Sequence, residues 1–229
     1  MGANAQTEVP VFIAGQVLTA VQQTEINTGI PVFATTVTRD AAFGGAGEKA
    51  LAEGQFAYIE ATNATQYYDG AAWQSVSSAP TVAIFNETQA TNTNGGTFTS
   101  GSYVKRTLNT TVVNTIASCT LTSSVISLPA GTYQVFATAP AVQVNEHQTK
   151  LRNTTDSTDI QFGSTEYSSA TAAYAQTVSI LQTVFTLTAT KNIELQHQCA
   201  TTRATFGLGA PNAFGNNLIY SQITITKLS

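Results

Sequence analysis

Residues 81–229 alternate between apolar and polar side chains almost throughout, and this pattern limits what the chain can fold into. Such alternation is typical of half-buried β-strands. Turn-forming residues interrupt it, among them Asn94-Gly95-Gly96 and Pro129-Ala130-Gly131. No long helical period or heptad run is present, so the region predicts a β-sandwich. The predicted strands are Thr81–Asn86, Tyr103–Val113, Cys119–Leu128, Thr132–Ala139, Gln143–Asn153, Ile160–Phe162, Ala175–Leu187, Ile193–Cys199 and Leu218–Lys227.

The composition fits an extended β surface with few charges. Charged residues make up 10% of the chain, against about 25% in an ordinary soluble domain. Threonine, serine and carboxamide residues take their place, and threonine favours strands because its side chain is branched at Cβ. A neutral polar surface of this kind suits a protein that stays on an assembly and faces the medium.

Several partner classes are disfavoured. The nine Lys and Arg residues are scattered singly and the net charge is −4, so no basic stripe for nucleic acid is present. No apolar run reaches the roughly 18 residues that a membrane span needs. The first ten residues lack the basic start and apolar segment of a signal peptide. We therefore expect no nucleic-acid partner, no membrane insertion and synthesis in the cytoplasm.

Composition divides the chain into three regions: residues 1–34, 35–79 and 80–229. The first is predicted to be an arm with a short helix over Ala20–Ile26, stopped by Gly29 and Pro31. It has too few apolar residues for a core of its own, so they are predicted to dock on a partner. A disordered tail is the alternative. The predicted docking residues are Phe12, Leu18, Ile26 and Phe33.

The second region predicts a small β-meander module. Thr38 is predicted to cap a short helix over Arg39–Phe43, and Asp69-Gly70 is a strong hairpin signal because glycine supplies positive φ without strain. So short a segment buries too little apolar surface to fold alone. Its predicted core is aromatic: Phe56, Tyr58, Tyr67, Tyr68 and Trp73.

The same region resembles a module of tailed-bacteriophage structural proteins. The resemblance rests on Thr38-Arg-Asp-Ala-Ala-Phe43, followed by Gly54-x-Phe-Ala-Tyr58 and Gln66-Tyr-Tyr-Asp-Gly-x-Ala-Trp73. The segment Asn145-x-His-Gln-x-x-Leu151 is similar to a strand of short jelly rolls at the C-termini of phage appendage proteins. The resemblance implies a virion component that docks on other virion proteins through its arm.

The third region resembles the jelly rolls of tumour necrosis factor and of complement globular heads. Leu128-Pro-Ala-Gly-Thr-Tyr133, the run Thr183–Gln196 and the closing Tyr220–Ser229 carry this resemblance. It implies a homotrimer that packs an apolar, often aromatic face around a threefold axis. The alternative is that each of these aromatics fills the core of its own protomer. The trimer-interface candidates are Tyr133, Phe185, Phe206, Phe214 and Tyr220.

No constellation for catalysis, cofactor binding or metal binding stands out. His147 beside Glu146, and His197 with Cys199, are too few and too dispersed for a zinc site, and interstrand hydrogen bonding by the two imidazoles is the favoured interpretation. Asp156 and Asp159 share a turn that could bind calcium, although turns favour Asp for backbone hydrogen bonding as well. We expect no enzyme activity and no cofactor.

Two loops have the composition of adaptable binding loops, Glu166–Tyr174 and Phe206–Asn217, and a host surface glycan is a candidate partner. Ordinary solvated connections are the alternative. Cys119 and Cys199 are expected to be buried free thiols, with a disulfide formed after release left open.

The sequence thus predicts a trimeric, non-enzymatic virion protein, either a short fibre or minor tail appendage that contacts the host. A capsid decoration protein that clamps neighbouring capsomers is the alternative, and a lectin-like carbohydrate-binding module is a weaker one.

Overall fold

A computed structural model describes residues 9, 13–19, 29–45, 49–76 and 80–228. The chain divides into two compact units, Met1–Ala79 and Pro80–Ser229. In the described part of the chain, helices are short, and none is long and apolar enough to cross a membrane. The prediction of an all-β protein is confirmed.

The first unit is a four-stranded sheet in the order β1-β2-β3-β4. Strands β2 to β4 form an antiparallel meander, and β1, which the sequence pattern did not reveal, joins it parallel to β2. Asp69 accepts backbone hydrogen bonds from Ala71 and Ala72 at the last turn. The elements are β1 (Val32–Phe33), α1 (Thr36–Asp40), β2 (Phe56–Ile59), a 3-10 turn (Glu60–Thr62), β3 (Ala64–Tyr68) and β4 (Trp73–Ser75).

The helix begins earlier than predicted because its cap is Thr35 rather than Thr38. The Thr35 hydroxyl accepts from the Thr38 backbone N–H, and the Thr38 hydroxyl accepts from the Thr35 N–H. This reciprocal pair is a capping box in which threonine takes the place usually held by Glu or Gln.

The prediction of the module core is partly wrong, because the side chains of β2 that point into the core are those of Ala57 and Ile59 and not those of Phe56 and Tyr58. Phe33, Ala42, Ala57 and Ile59 are fully buried, whereas the predicted Phe56 and Tyr67 are exposed. Their rings lie 6.4 Å apart on the outer face of the sheet, at paired positions of β2 and β3.

The other three predicted core aromatics are half-buried, and Trp73 packs against the core. Tyr58 and Tyr68 do not belong to the buried cluster. The Tyr58 hydroxyl bonds to Asn63, and the ring of Tyr68 lies 5.7 Å from that of Trp73. The guanidinium carbon of Arg39 lies 4.6 Å from the ring centre of Trp73.

The predicted docking arm is only partly covered by the described residues. Phe12, Ile26 and the predicted helix over 20–26 lie outside them. Leu18 is described and exposed. Phe33 is wrong as a docking residue, because it lies in β1 and is completely buried in the core of the first unit.

The second unit is a sandwich of two antiparallel sheets. One sheet has the order β13-β10-β15-β5-β7, and the other has the order β12-β11-β14-β9-β8, with β6 paired to β14. The strands are β5 (Thr81–Gln89), β6 (Val104–Lys105), β7 (Thr110–Asn114), β8 (Thr120–Thr122), β9 (Val125–Leu128), β10 (Gly131–Val142), β11 (Asn145–Asn153), β12 (Thr158–Ser168), β13 (Gln176–Leu187), β14 (Lys191–Cys199) and β15 (Leu218–Lys227).

Successive strands pass back and forth between the sheets, which is the jelly-roll arrangement predicted. From β10 the chain crosses to β11 and β12, returns as β13, crosses again as β14 and closes as β15. Inward-facing residues of both sheets form one continuous core, including Phe85, Tyr133, Leu151 and Ile225. Cys119 and Cys199 are free and buried.

Two predicted strands are split. The predicted Cys119–Leu128 is a hairpin of β8 and β9 that turns at Ser123 and Ser124, both with positive φ. The predicted Tyr103–Val113 is divided between β6 in one sheet and β7 in the other. Serine carries no strong signal for positive φ, so the sequence pattern did not show the turn.

Replacing Tyr133 with Asp is expected to lower the free energy of unfolding by several kcal/mol, because Tyr133 is fully buried and a carboxylate there has no partner. Chemical denaturation measures the change. Gln161→Asp, at an exposed position of β12, is the control and is expected to change stability by less than about 0.5 kcal/mol. Equal effects of the two substitutions would show that β10 is placed wrongly.

Candidate functional site

The outward face of the five-stranded sheet carries a group of exposed apolar side chains. We call Phe136 of β10 and Val178, Ile180 and Val184 of β13 the apolar face. Each is between 38% and 58% exposed. The register brings them together: Phe136 pairs with Gln182, between Ile180 and Val184. Grouped exposed apolar side chains of this kind are typical of protein–protein contacts.

The apolar face follows from strand alternation. Tyr133, Val135 and Ala137 fill the core, so the even-numbered residues of β10 point outward. In β13 the buried residues are Ser179, Leu181 and Leu187, and their even-numbered neighbours point outward.

The structure places the trimer-interface candidates elsewhere. Tyr133 is buried in its own protomer, where its hydroxyl donates to the Pro129 carbonyl and its ring lies 5.9 Å from that of Phe185. Tyr220 is buried too, and its hydroxyl donates to the Thr93 carbonyl at 2.6 Å. Tyr133 and Tyr220 are therefore wrong as interface residues. Phe185 is half-buried and packs against the sandwich core, and its place at an interface stays a prediction.

The two remaining candidates, Phe206 and Phe214, lie in a loop. Phe206 is half-buried, with its ring stacked at 5.9 Å on Tyr174 and the Arg203 guanidinium 4.2 Å from its centre. Phe214 is 85% exposed. The prediction selected large aromatic residues and so missed Phe136, Ile180 and Val184. Phe136 could have been predicted, because strand alternation places it on the face opposite to the buried Tyr133.

The two predicted binding loops meet at one end of the sandwich, which we call the loop end. The Tyr174–Phe206 stack joins them, and Gln176 Oε1 accepts a hydrogen bond from the Ala210 backbone N–H at 3.0 Å. Gly209 has φ +157°, and a Cβ atom there would lie 2.1 Å from the ring of Tyr220. The second loop can therefore lie against β15 only because residue 209 is glycine.

A buried ion pair lies beneath the loop end. Arg106 Nη2 lies 3.0 Å from Glu87 Oε2, and both side chains are almost completely buried. Ser221 accepts from Arg106 Nε at 2.6 Å and donates to the same Glu87 oxygen at 3.0 Å. Arg106 also donates to the carbonyl groups of Pro140 and Leu208. Burial lowers the pKa of Arg106, while Glu87 counteracts that shift.

A β-bulge in β15 makes this arrangement possible. The register shifts by one residue between Ile219 and Gln222, so Tyr220 and Ser221 together oppose Glu87 of β5. Both consecutive side chains therefore face inward. Tyr220 packs under Gly209, and Ser221 reaches the ion pair.

The two histidines bond to each other between β11 and β14. His147 Nδ1 lies 2.9 Å from His197 Nε2, and His147 Nε2 lies 2.7 Å from the Thr177 hydroxyl. His197 Nδ1 is buried without a hydrogen-bond partner among the described residues. Cys199 bonds to the Thr201 carbonyl instead, and the described part of the chain contains no cluster of three or more His, Cys, Asp or Glu that could hold a metal ion.

Burial lowers the pKa of His147 from 6.5 to about 4, and Arg106 adds to this effect while Glu166 opposes it. Burial, together with the nearby Arg106 and His147, lowers the pKa of His197 well below its ordinary value. Both imidazoles are therefore neutral near pH 7.

The turn carboxylates are engaged in ion pairs. Asp156 lies 2.6 Å from Lys191 Nζ. Asp159 lies 2.7 Å from Arg152 and 3.0 Å from Lys150. The hydrogen bonds from Lys191 to Asp156 and from Arg152 to Asp159 lower the pKa values of the two carboxyl groups. Basic side chains thus occupy the positions at which a calcium ion would need free oxygens.

No protein-family model and no curated protein sequence matches the chain. Solved structures similar to it include murine APRIL at pH 5.0, with 9% identity, a TM-score of 0.43 and coverage of 66% of this chain and 100% of that one. The globular domain of zebrafish complement 1qA has 12% identity and a TM-score of 0.39, covering 66% and 98%. Eiger TNF from S. frugiperda has 13% identity and a TM-score of 0.42, with coverage of 66% of this chain and 94% of that one. None of these similarities assigns the chain a family or a function.

The free energy of unfolding is expected to fall as the pH decreases from 6.5 towards 4. In that range the unfolded His147 takes up a proton and the folded one does not, since its pKa is about 4. His147→Gln should reduce the slope of the free energy of unfolding against pH by up to about 1.4 kcal/mol per pH unit. Denaturant titrations at several pH values measure it.

Thr177→Val is the control, because it removes a hydrogen bond and no titrating group. It should lower stability at every pH and leave the slope unchanged. A slope for His147→Gln equal to that of the original chain would show that His147 is protonated in the folded state.

Glu87→Gln is expected to lower the free energy of unfolding by about 3 kcal/mol or more, since it leaves the Arg106 guanidinium buried without a counter-charge. Glu194→Gln is the matched control. Its partner Lys105 is 3.7 Å away and partly exposed, so the loss should stay below about 1 kcal/mol. Equal losses in chemical denaturation would mean that the pair at Arg106 is accessible to water.

Proposed function

We propose that the protein is a non-enzymatic structural protein of a bacteriophage virion. In this proposal it assembles as a homotrimer and is exposed as a short fibre or minor tail appendage that contacts the host surface. The apolar face carries the proposal of self-association. The resemblance of residues 38–73 and 145–151 to phage structural proteins supports the placement on a virion.

A second copy of the chain is the partner that best fits the apolar face. The face lies at the edge of its sheet, because β13 is an outermost strand, and no charged side chain lies among Phe136, Val178, Ile180, Gln182 and Val184. Interface centres are typically depleted of charge in this way. In an assembly with closed rotational symmetry, the apolar face of every copy is covered by a neighbouring copy.

Ile180→Asp is expected to abolish assembly, because it places a charge at the centre of the apolar contact. Light scattering of the original chain should give about three times the 24.0 kDa protomer mass, and the variant should give one protomer mass. Circular dichroism should show that the variant keeps its strands.

Phe162→Asp is the matched control. Phe162 lies on β12 in the opposite sheet and, like Ile180, is 46% exposed. This variant should assemble as the original chain does. A monomeric original chain, or loss of assembly in both variants, would contradict the role of the apolar face.

Placement on the virion is tested by quantitative mass spectrometry of purified phage particles. A few copies per particle would support the appendage. A copy number in proportion to that of the major capsid protein would instead indicate a capsid decoration protein. Absence of the protein from the particle would overturn the proposed virion role. A chain shortened by residues 1–28, which keeps β1 and the buried Phe33, should fold and assemble but not attach to the particle.

A further inference from the structure

The loop end contains an open groove of about 470 Å³, a volume within the range of ligand sites. It lies between the outward face of the five-stranded sheet and the second loop. We call it the amide groove because four carboxamide side chains line it. Its lining residues are Thr138, Pro140, Gln176, Val178, Ala210, Asn212, Asn216, Asn217, Leu218, Ile219 and Tyr220.

We propose that the amide groove binds a neutral saccharide. The contact with a host surface in this proposal rests on the proposed function, whereas the binding itself depends only on the groove.

The polar side chains of the groove have free hydrogen-bonding capacity. Asn216 and Asn217 are exposed, and their carboxamides make no hydrogen bond within the described part of the chain. The side-chain oxygens of Gln176 and Asn212 accept hydrogen bonds from the backbone N–H groups of Ala210 and Phe214. Their NH₂ groups donate to no acceptor in the described part of the chain. A carboxamide offers donors and an acceptor side by side, which complements adjacent hydroxyl groups.

The remaining lining favours a ring with both polar and apolar surfaces. Pro140 and Ile219 supply apolar contacts, and Ile219 is exposed. The C–H face of a pyranose can pack on such side chains while its hydroxyl groups meet the amides. No lining residue is charged, so nothing in the groove would compensate a buried carboxylate or phosphate. The lining therefore selects for a neutral sugar.

The loop end lies opposite the place where the chain enters the sandwich. Thr81, the first residue of β5, pairs with Lys227 at the far end of β15, whereas Leu218 at the groove begins β15. The exposed aromatic side chains Tyr174 and Phe214 lie in the two loops of this end. Within the second unit, the groove is thus positioned away from residue 80.

The test uses the full chain and ligand-observed saturation-transfer NMR. The probes are the methyl glycosides of glucose, galactose, mannose and N-acetylglucosamine, with methyl glucuronoside as the charged counterpart. We expect saturation transfer to at least one neutral glycoside and weaker transfer to the glucuronoside. Replacing both Asn216 and Asn217 with Ala should raise the Kd by about tenfold or more.

Gln198→Ala is the control, because Gln198 lines a separate pocket of about 250 Å³ and is a carboxamide as well. It should leave binding unchanged. Ile180→Asp separates the two proposals: binding retained by a monomeric variant would show that one protomer holds the complete groove. The proposal is overturned if no neutral glycoside receives saturation, if the double variant binds as tightly as the original chain, or if Gln198→Ala abolishes binding.

Discussion

The arrangement of the second unit depends on satisfying one buried charge. Arg106 lies between strands β6 and β7, where the chain passes from one sheet to the other, and its guanidinium is out of contact with water. A buried guanidinium is tolerated only if its donors find partners. Those partners come from β5, β10, β15 and the second loop. Its side chain thus holds the loop end against the five-stranded sheet, while its backbone N–H donates to Leu195 of β14 in the other sheet.

The same charge explains why the neighbouring imidazoles are neutral. Arg106 contributes to the lowered pKa values of both His147 and His197, so a proton there would meet a second positive charge in a dry environment. The interior of this jelly roll therefore combines a permanent ion pair with a neutral hydrogen-bonded pair. The apolar core lies beside them, around Tyr133 and Leu151.

The sequence pattern was sufficient for the fold class and for the longest strands, and β15 begins and ends at the predicted residues. It was insufficient for the side of each strand that faces inward, since that depends on register and not on side-chain type. Tyr133 and Phe136 are both aromatic residues of β10, yet only Phe136 is on the outward face. Arg106 and the amide groove could not be predicted, because long-range contacts bring their parts together.

The bulge at Tyr220 and Ser221 divides β15 into two halves with opposite phases. Before it, even-numbered side chains point inward, and after it odd-numbered ones do. Loss of one residue at the bulge would restore a regular strand with Ile219 still pointing outward and Ile223 still pointing inward, but only one of the two adjacent inward side chains would remain. The bulge therefore lets one position of the sheet supply both the ring that packs under Gly209 and the hydroxyl that bonds to the buried ion pair, a combination that a regular strand cannot provide.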